Sequence, residues 1–281
     1  MRAFISLDLE GLPYIVSREH LSVKGTLYSE ARKIATEIVK VTAETLHHEL
    51  GFDEIVIADS HGPMVNILPD DTPDYIELVR GFPRPLSMVS FAKGSDAALF
   101  LGYHAKAGVE NATFDHTYSG ASVDILEING IEVSEFLLNA YLLGKWGIPV
   151  ILVGGDKRLV ETDVKKFTPW AVGVPFKEST SRYAAKSPGL RRIKAMLKEG
   201  VVEAVERLKK GDARPLVTKE PVNVKVRFLN TAFADAAELL PFVKRLDGKT
   251  VEFEAETVEE AYKVFELLTL AAAGVNAIVT R

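Results

Sequence analysis

The sequence of 281 residues contains no cysteine. A disulfide framework, thiolate ligation of a metal ion and a cysteine nucleophile are therefore excluded. Any metal ion bound by this chain would have to be held by nitrogen and oxygen ligands.

The sequence also lacks a dense stripe of Lys and Arg, and its formal net charge is -5. Binding to nucleic acid requires clustered positive charge to neutralise the phosphates. The basic pairs Arg191-Arg192 and Lys209-Lys210 lie in a mixed-charge stretch and are typical of a solvated helix face. We therefore expect no nucleic-acid partner.

The sequence also lacks long uninterrupted apolar runs. The N-terminus reads Met1-Arg2-Ala3-Phe4-Ile5-Ser6-Leu7-Asp8, and an acid interrupts it too early for a secretory signal. No uninterrupted apolar segment approaches membrane-spanning length. The sequence thus predicts a cytoplasmic protein with no membrane partner.

The composition is that of a globular protein, with 47% hydrophobic and 26% charged residues. At roughly 150 residues per domain, the length allows one large domain or two closely packed units. A sizeable buried core is therefore expected without disulfides or other covalent supports.

Short apolar runs alternate along the chain with segments of helical periodicity. The runs predict strands over residues 2–7, 55–58, 97–101, 123–128, 131–133, 150–153, 222–228 and 250–255, and the periodic segments predict helices over 28–50, 134–146, 188–210 and 258–273. Asn129-Gly130 indicates a tight hairpin turn.

This pattern predicts an α/β fold with a largely parallel central sheet flanked by helices. After Gly211 the strands alternate apolar and polar residues, which is typical of a mixed or antiparallel sheet. We therefore divide the chain into an α/β region, 1–211, and a C-terminal α+β region, 212–281, packed against it.

Polar side chains follow three of the predicted strands. Asp8 and Glu10 end the first strand, and because they are two residues apart their side chains share a face. His61 ends the second of these strands, and His104 ends the third. A parallel sheet brings such carboxyl ends together, and a divalent cation would offset the repulsion between the two carboxylates. The residues thus predict a metal site at this edge of the sheet.

Two further residues are ambiguous from the sequence alone. Glu135 lies in the first turn of a helix, where the helix dipole favours an acid whatever the protein does. His116 follows His104 in an irregular segment and is available as an acid or base near neutral pH.

Four motifs together resemble the zinc-dependent D-aminopeptidases of the DppA type, also called dipeptide-transport proteins. These motifs are Ser6-Leu7-Asp8-Leu9-Glu10-Gly11, Asp59-Ser60-His61, Leu101-Gly102-Tyr103-His104-Ala105, and Glu135 with Leu138-Asn139-Ala140-Tyr141. Their order, spacing and identity agree, and weaker similarity extends over nearly the whole chain.

The resemblance implies two zinc ions per subunit, with Asp8 bridging them and Glu10, His61, His104 and Glu135 completing the ligand set. It places His116 at the catalytic position of the family. It also implies release of N-terminal D-amino acids from short peptides by a homodecamer. Manganese or cobalt could occupy the same oxygen and nitrogen ligands.

Two other functions remain open at this point. The same metal cluster could serve another amidohydrolase or a phosphoesterase, and the latter would need additional cations, for which Arg80, Lys93 and Lys106 are the local candidates. A non-catalytic peptide-binding protein would instead have a closed ligand set with no free position.

Overall fold

The computed structural model describes residues 1–70 and 72–279. The strands are β1 Arg2–Leu7, β2 Glu54–Asp59, β3 Ile76–Val79, β4 Ala97–Tyr103, β5 Val123–Ile128, β6 Ile131–Glu132, β7 Val150–Asp156, β8 Val172–Ser181, β9 Ala184–Lys186, β10 Val222–Phe228, β11 Lys244–Arg245 and β12 Thr250–Ala255. The α-helices are α1 Tyr28–Leu50, α2 Glu135–Lys145, α3 Lys157–Leu159, α4 Lys165–Phe167, α5 Leu190–Lys209, α6 Thr231–Ala237 and α7 Val258–Val279. A π-helical turn, Val160–Val164, joins α3 to α4, and 3-10 turns form at Arg18–His20 and Ser87–Val89.

The larger sheet has seven strands in the order β3-β2-β1-β4-β7-β8-β9. Every pairing in it is parallel except that of β8 with β9. The predicted largely parallel sheet is therefore confirmed. Because β1 lies between β2 and β4, the carboxyl ends of the three strands are neighbours.

Side chains of β1 alternate between the two faces of this sheet, as the strand period of two requires. Ala3 and Ile5 belong to the hydrophobic core that includes residues of α1 and α5, whereas Phe4 belongs to the core that includes residues of α2. Ser6 and Asp8 continue the register of Phe4. The strand therefore aims its terminal acid toward the side of the sheet that carries α2.

The second sheet is antiparallel, with the order β11-β12-β10-β5-β6, which confirms the predicted additional sheet. The turn between β5 and β6 has positive φ at both Asn129 (50°) and Gly130 (79°), as a tight hairpin requires. This sheet takes strands from both sides of residue 211. The division of the chain into regions 1–211 and 212–281 remains a prediction.

The helix α7 differs from the sequence-based expectation in two ways. It continues through Gly274 to Val279 rather than stopping near Ala273. By length and composition it is also apolar enough to cross a membrane, with a mean hydropathy of 1.4 over its most apolar window. Uninterrupted apolar runs do not reveal this property. The helix packs on α2, α6 and β12, and its buried residues include Tyr262 and Phe265. Core helices of globular proteins can have the same length and composition, so this feature is weak evidence of a membrane span.

Candidate metal centre

The four residues predicted at strand ends lie together at one edge of the larger sheet. Asp8 and Glu10 follow β1, His61 follows β2 and His104 follows β4. Backbone hydrogen bonds extend beyond the strands, since the amide of Asp8 donates to Leu101 O at 2.8 Å. The sheet itself therefore fixes the spacing of these side chains.

Two glycines let the chain segments after β1 and β4 touch. The amide of Gly11 donates to Gly102 O at 2.7 Å. A Cβ atom at Gly11 would lie 1.9 Å from Tyr103 O, and one at Gly102 would lie 1.9 Å from Asp8 O. Only glycine fits at either position, because each hypothetical contact is with backbone that cannot move aside.

The helix α2 and the loop before β5 supply the two remaining residues. Ser134 caps α2 through its side chain, and Glu135 is the first residue of the helix. The amide of Tyr118 donates to Glu135 Oε1 at 2.7 Å. His116 lies 3.2 Å from the same oxygen through its Nε2. The structure therefore brings all six candidate residues into one cluster.

Distances within the cluster are short and link every histidine to at least one carboxylate. His61 Nδ1 lies 2.8 Å from Glu10 Oε2 and 3.4 Å from Asp8 Oδ1. His104 Nε2 lies 3.4 Å from Asp8 Oδ2 and 3.3 Å from Glu135 Oε1. These contacts form a continuous array of oxygen and nitrogen atoms.

Each of the three histidines has one ring nitrogen within hydrogen-bond distance of a backbone carbonyl. If that nitrogen carries the proton, the other nitrogen presents a lone pair to the carboxylates. Lone pairs and carboxylates repel each other unless a proton or a cation lies between them. The carbonyl contacts are His61 Nε2 to Leu21 O at 3.0 Å, His104 Nδ1 to Ala105 O at 3.0 Å, and His116 Nδ1 to Phe114 O at 2.7 Å.

Two of the inward-facing atoms have no hydrogen-bond partner although they are buried. These are Asp8 Oδ2 and His104 Nε2. Their residues belong to two overlapping groups whose potential ligand atoms lie within 4.8 Å of one another: Asp8, Glu10 and His104, and His104, His116 and Glu135. Burying such atoms without partners is costly, so the arrangement fits a bound divalent cation.

The charges of the cluster lead to the same conclusion. Burial lowers the pKa of His104, but the charges of Glu135 and Asp8 outweigh it and raise that pKa to about 10. Burial, together with the charge of Glu10, raises the pKa of Asp8 well above its usual range. Burial and the positive charge of His104 lower the pKa of His116. The carboxylates therefore favour positive charge at this position, which a divalent cation would supply.

A buried chain of hydrogen bonds lies behind the cluster, and each of its first four members is close in sequence to a candidate ligand. Ser6 Oγ is 2.8 Å from both Ser60 Oγ and Tyr103 OH. Asn139 Nδ2 donates to Tyr103 OH at 3.0 Å, and Tyr262 OH donates to Asn139 Oδ1 at 2.9 Å. This chain connects α7 to the ends of β1, β2 and β4, so it fixes the backbone from which the candidate ligands project.

The side chain of Lys177 binds the segment that follows β1. This side chain is buried, and its ammonium donates to Glu10 O and, at 2.8 Å, to Ile15 O. Burial lowers its pKa to about 7. No local sequence pattern marks this lysine, because an isolated lysine is most often a surface residue.

A cavity of about 300 Å³ opens onto the cluster. Among the described residues, those lining it include no Lys or Arg. They are Asp8, Glu10, Ser60, His61, Gly62, Met64, Phe82, Ser87, Met88, His116, Tyr118, Ser119, Glu135, Glu266, Thr269, Leu270 and Ala273.

Comparison with known proteins agrees with the fold and the motifs. A profile of the D-aminopeptidase family matches residues 1–267. The chain belongs to the D-aminopeptidase family. It is 28% identical to the D-aminopeptidase of Bacillus subtilis (strain 168) over 274 residues, covering 96% of this chain and 97% of that protein. It also resembles the solved structure of the Zn-dependent D-aminopeptidase DppA from Bacillus subtilis, described as a self-compartmentalizing protease, with a TM-score of 0.92, 28% identity and coverage of 97% and 98% of the two chains.

Membership of the D-aminopeptidase family confirms the resemblance found from the motifs and makes this chain a peptidase. The individual ligand and catalytic roles of the six residues remain predictions. Two other histidines lie outside the cluster: His20 accepts from the amide of Ser17 at 3.2 Å, and His47 stacks on Tyr75. The sequence motifs include Ser6, Ser60, Tyr103 and Asn139 without indicating their role, and they do not include Tyr262 or Lys177.

Proposed function

We propose that this chain is a zinc-dependent D-aminopeptidase that removes N-terminal D-amino acids from short peptides and binds two ions per subunit. The observation that carries the proposal is the pair of buried, unpartnered atoms, Asp8 Oδ2 and His104 Nε2, within an array of histidines and carboxylates. Zinc is the metal of the similar Bacillus subtilis structure. Nitrogen and oxygen ligands also accept manganese or cobalt.

The positions of the two Asp8 oxygens support a dinuclear site. Asp8 offers one oxygen toward His61 and the other toward His104, so it is suited to bridge two ions. Glu10 with His61 would complete one ligand set, and His104 with Glu135 the other. We assign metal ligation to Asp8, Glu10, His61, His104 and Glu135.

Paired divalent ions lower the pKa of a water molecule toward neutrality and polarise the scissile carbonyl. The protein's own acid-base group would be His116, whose ring lies parallel to that of His104 with centroids 4.2 Å apart and lines the cavity. Burial is the largest cause that lowers the pKa of His116, and the charge of bound metal ions would act in the same direction, so the ring is neutral and able to accept a proton at pH 7. The Phe114 carbonyl fixes the ring orientation, and His116 would take a proton from the attacking water and pass it to the leaving amine.

The charge of the cavity favours a peptide over a phosphoester. Arg80, Lys93 and Lys106, which the phosphoesterase alternative required, do not line it. Lys106 instead pairs with Glu132 at 3.2 Å, and Arg80 donates to Val65 O at 3.1 Å. A phosphate group would therefore meet carboxylates without a compensating cation outside the metal centre.

The cavity also weighs against a purely structural metal in a peptide-binding protein. Structural sites are closed by their protein ligands, whereas catalytic sites keep a position open for water or substrate. Here Asp8, Glu10, His61 and Glu135 all face the cavity. Space for a substrate is thus present beside the proposed ligands.

A homo-oligomer is part of the proposal. The similar Bacillus subtilis structure is described as self-compartmentalizing, which requires several copies around an enclosed space. Leu239, Phe242, Ile278 and Val279 of this chain are exposed apolar side chains in or near α6 and α7 that association could cover. We expect a decamer with enclosed sites, accessible to short peptides, in the cytoplasm.

The direct test of the function is hydrolysis of matched D- and L-aminoacyl dipeptides, with a phosphoester panel assayed in parallel. We expect cleavage of the D series only, loss of that activity with a chelator, and its return with zinc. Equal rates on both series, or turnover that survives complete metal removal, would contradict the proposal. Light scattering that shows a monomer at micromolar concentration would contradict the oligomer.

A further inference from the structure

One wall of the cavity comes from α7, which the motifs at the strand ends do not include. Glu266, Thr269, Leu270 and Ala273 line the cavity at helical spacing, and Tyr262 lies one turn before Glu266 on the same face. Tyr262 OH is anchored to the Asn139 side chain at 2.9 Å. The register of α7 against the metal centre is therefore fixed by a buried hydrogen bond.

Glu266 is distinct among the charged residues of this cavity. Apart from Asp8, Glu10 and Glu135, it is the only carboxylate among the described lining residues. Its side chain is largely buried, with 9% exposure for the residue. Burial raises the pKa of Glu266, while the Leu86 amide and the charge of Arg84 oppose that rise.

Arg84 does not neutralise this carboxylate by direct pairing. Its guanidinium donates to three backbone carbonyls: Ser87 O at 2.8 Å, Val79 O at 3.2 Å and Asp59 O at 2.7 Å. Glu266 forms no salt bridge within 4.0 Å among the described residues. Glu266, whose carboxylate has spare hydrogen-bonding capacity, therefore lines a cavity without cationic side chains.

We propose that Glu266 receives the free N-terminal ammonium group of the peptide substrate. The proposal rests on the proposed function, since an enzyme that removes one terminal residue must recognise that terminus. The only charge that distinguishes an N-terminal residue from an internal one is its ammonium group. A partly dehydrated carboxylate binds an ammonium more strongly than a solvated one does, because water competes less for both charges.

The competing arrangement has a metal ion as the receiver of the amine in its neutral form. In that case the Glu266 charge would not distinguish a ligand that carries the amine from an analogue that lacks it. If Glu266 binds the ammonium, its charge matters for aminoacyl peptides and is irrelevant for analogues without the amine. The two arrangements therefore make opposite predictions for one substitution.

The experiment compares D-alanyl-glycine as substrate with propionyl-glycine, which lacks the amine, as competitive inhibitor. Glu266→Gln keeps the size and the acceptor oxygen for Leu86 but removes the charge. We expect the KM for D-alanyl-glycine to rise roughly 10–100-fold, the effect of losing a charged hydrogen bond, with a smaller change in kcat. The inhibition constant of propionyl-glycine should stay within about twofold.

Controls use the same helix and the same zinc-loaded enzyme. Glu260→Gln removes an exposed carboxylate of α7 that does not line the cavity and should leave both constants unchanged. Glu266→Asp retains the charge and should recover part of the lost affinity. Bound zinc and melting temperature are measured for every variant, because both should match the wild type.

An unchanged KM in Glu266→Gln would overturn the assignment and favour capture of the amine by metal. Equal weakening of D-alanyl-glycine and propionyl-glycine would also overturn it, since the residue would then only shape the cavity. Failure of the wild-type enzyme to cleave any D-aminoacyl peptide would refute the proposed function itself. That failure is seen before any variant is made.

Discussion

Replacing His116 by alanine separates catalysis from metal binding within a single cluster. Its Nε2 lies 3.2 Å from Glu135 Oε1, and its Nδ1 contacts Phe114 O at 2.7 Å, so the ring is held in one orientation. A positioned acid-base group contributes about 10²–10⁴ in rate, or about 3–5 kcal/mol of activation free energy. We expect His116→Ala to lose turnover by that factor while retaining its metal and its fold.

The matched variant is His104→Ala. The His104 Nε2 is buried without a hydrogen-bond partner and faces two carboxylates, so we expect this variant to lose metal as well as rate. The assay measures bound zinc and steady-state rates for both proteins under identical conditions. Near wild-type turnover in His116→Ala would remove that residue from the mechanism. Loss of one metal equivalent would instead make it a ligand, which its proximity to His104 and Glu135 permits.

The pH dependence of the rate provides an independent check on His116. Burial is the largest cause that lowers its pKa, and the charge of bound metal ions would act in the same direction, so the neutral, proton-accepting form predominates above that lowered value. The rate should therefore rise with pH through a pKa below the usual histidine value of about 6.5 and fall only in more acidic solution. The acidic limb assigned to this group should be absent from the profile of His116→Ala. An identical limb in the variant would contradict the assignment.

Three further substitutions test the framework of the site. Asp8→Ala should abolish activity and most metal binding, because its two oxygens face both ligand sets; full metal occupancy would contradict the bridging role. Asn139→Leu should lower the free energy of unfolding by about 2–5 kcal/mol in urea titrations, since two buried tyrosine hydroxyls lose a partner. Gly11→Ala should cost about 3 kcal/mol or more, because its Cβ would lie 1.9 Å from Tyr103 O, whereas Gly189→Ala, with nothing within 4 Å, should be tolerated.

The strand ends were predictable because a local pattern specifies them. Continuous apolar runs closed by Asp8, His61 and His104 indicate buried parallel strands, and parallel strands bring their carboxyl ends to one edge. The Asn129-Gly130 turn was equally clear, since few residues other than these adopt positive φ readily. The proximity of the candidate ligands could therefore be inferred before the fold was known.

Other elements carry no such local pattern. Gly173 and Pro175 interrupt the apolar pattern of β8, and α6 has only seven residues, too few for a helical period to stand out. No local pattern distinguishes Lys177 or Glu266 from surface charges, because burial of a charged side chain depends on contacts distant in sequence. Their positions next to the candidate metal site and its cavity arise only from tertiary packing.

The most direct test of the account is location of the metal by anomalous diffraction at the zinc absorption edge, using protein purified without added metal. The account predicts two peaks per chain, with Asp8 contacting both, Glu10 and His61 at one, and His104 and Glu135 at the other. A single peak, or two peaks away from the unpartnered Asp8 and His104 atoms, would contradict the dinuclear site. Absence of any peak in a protein that still cleaves D-aminoacyl peptides would contradict metal-dependent catalysis itself.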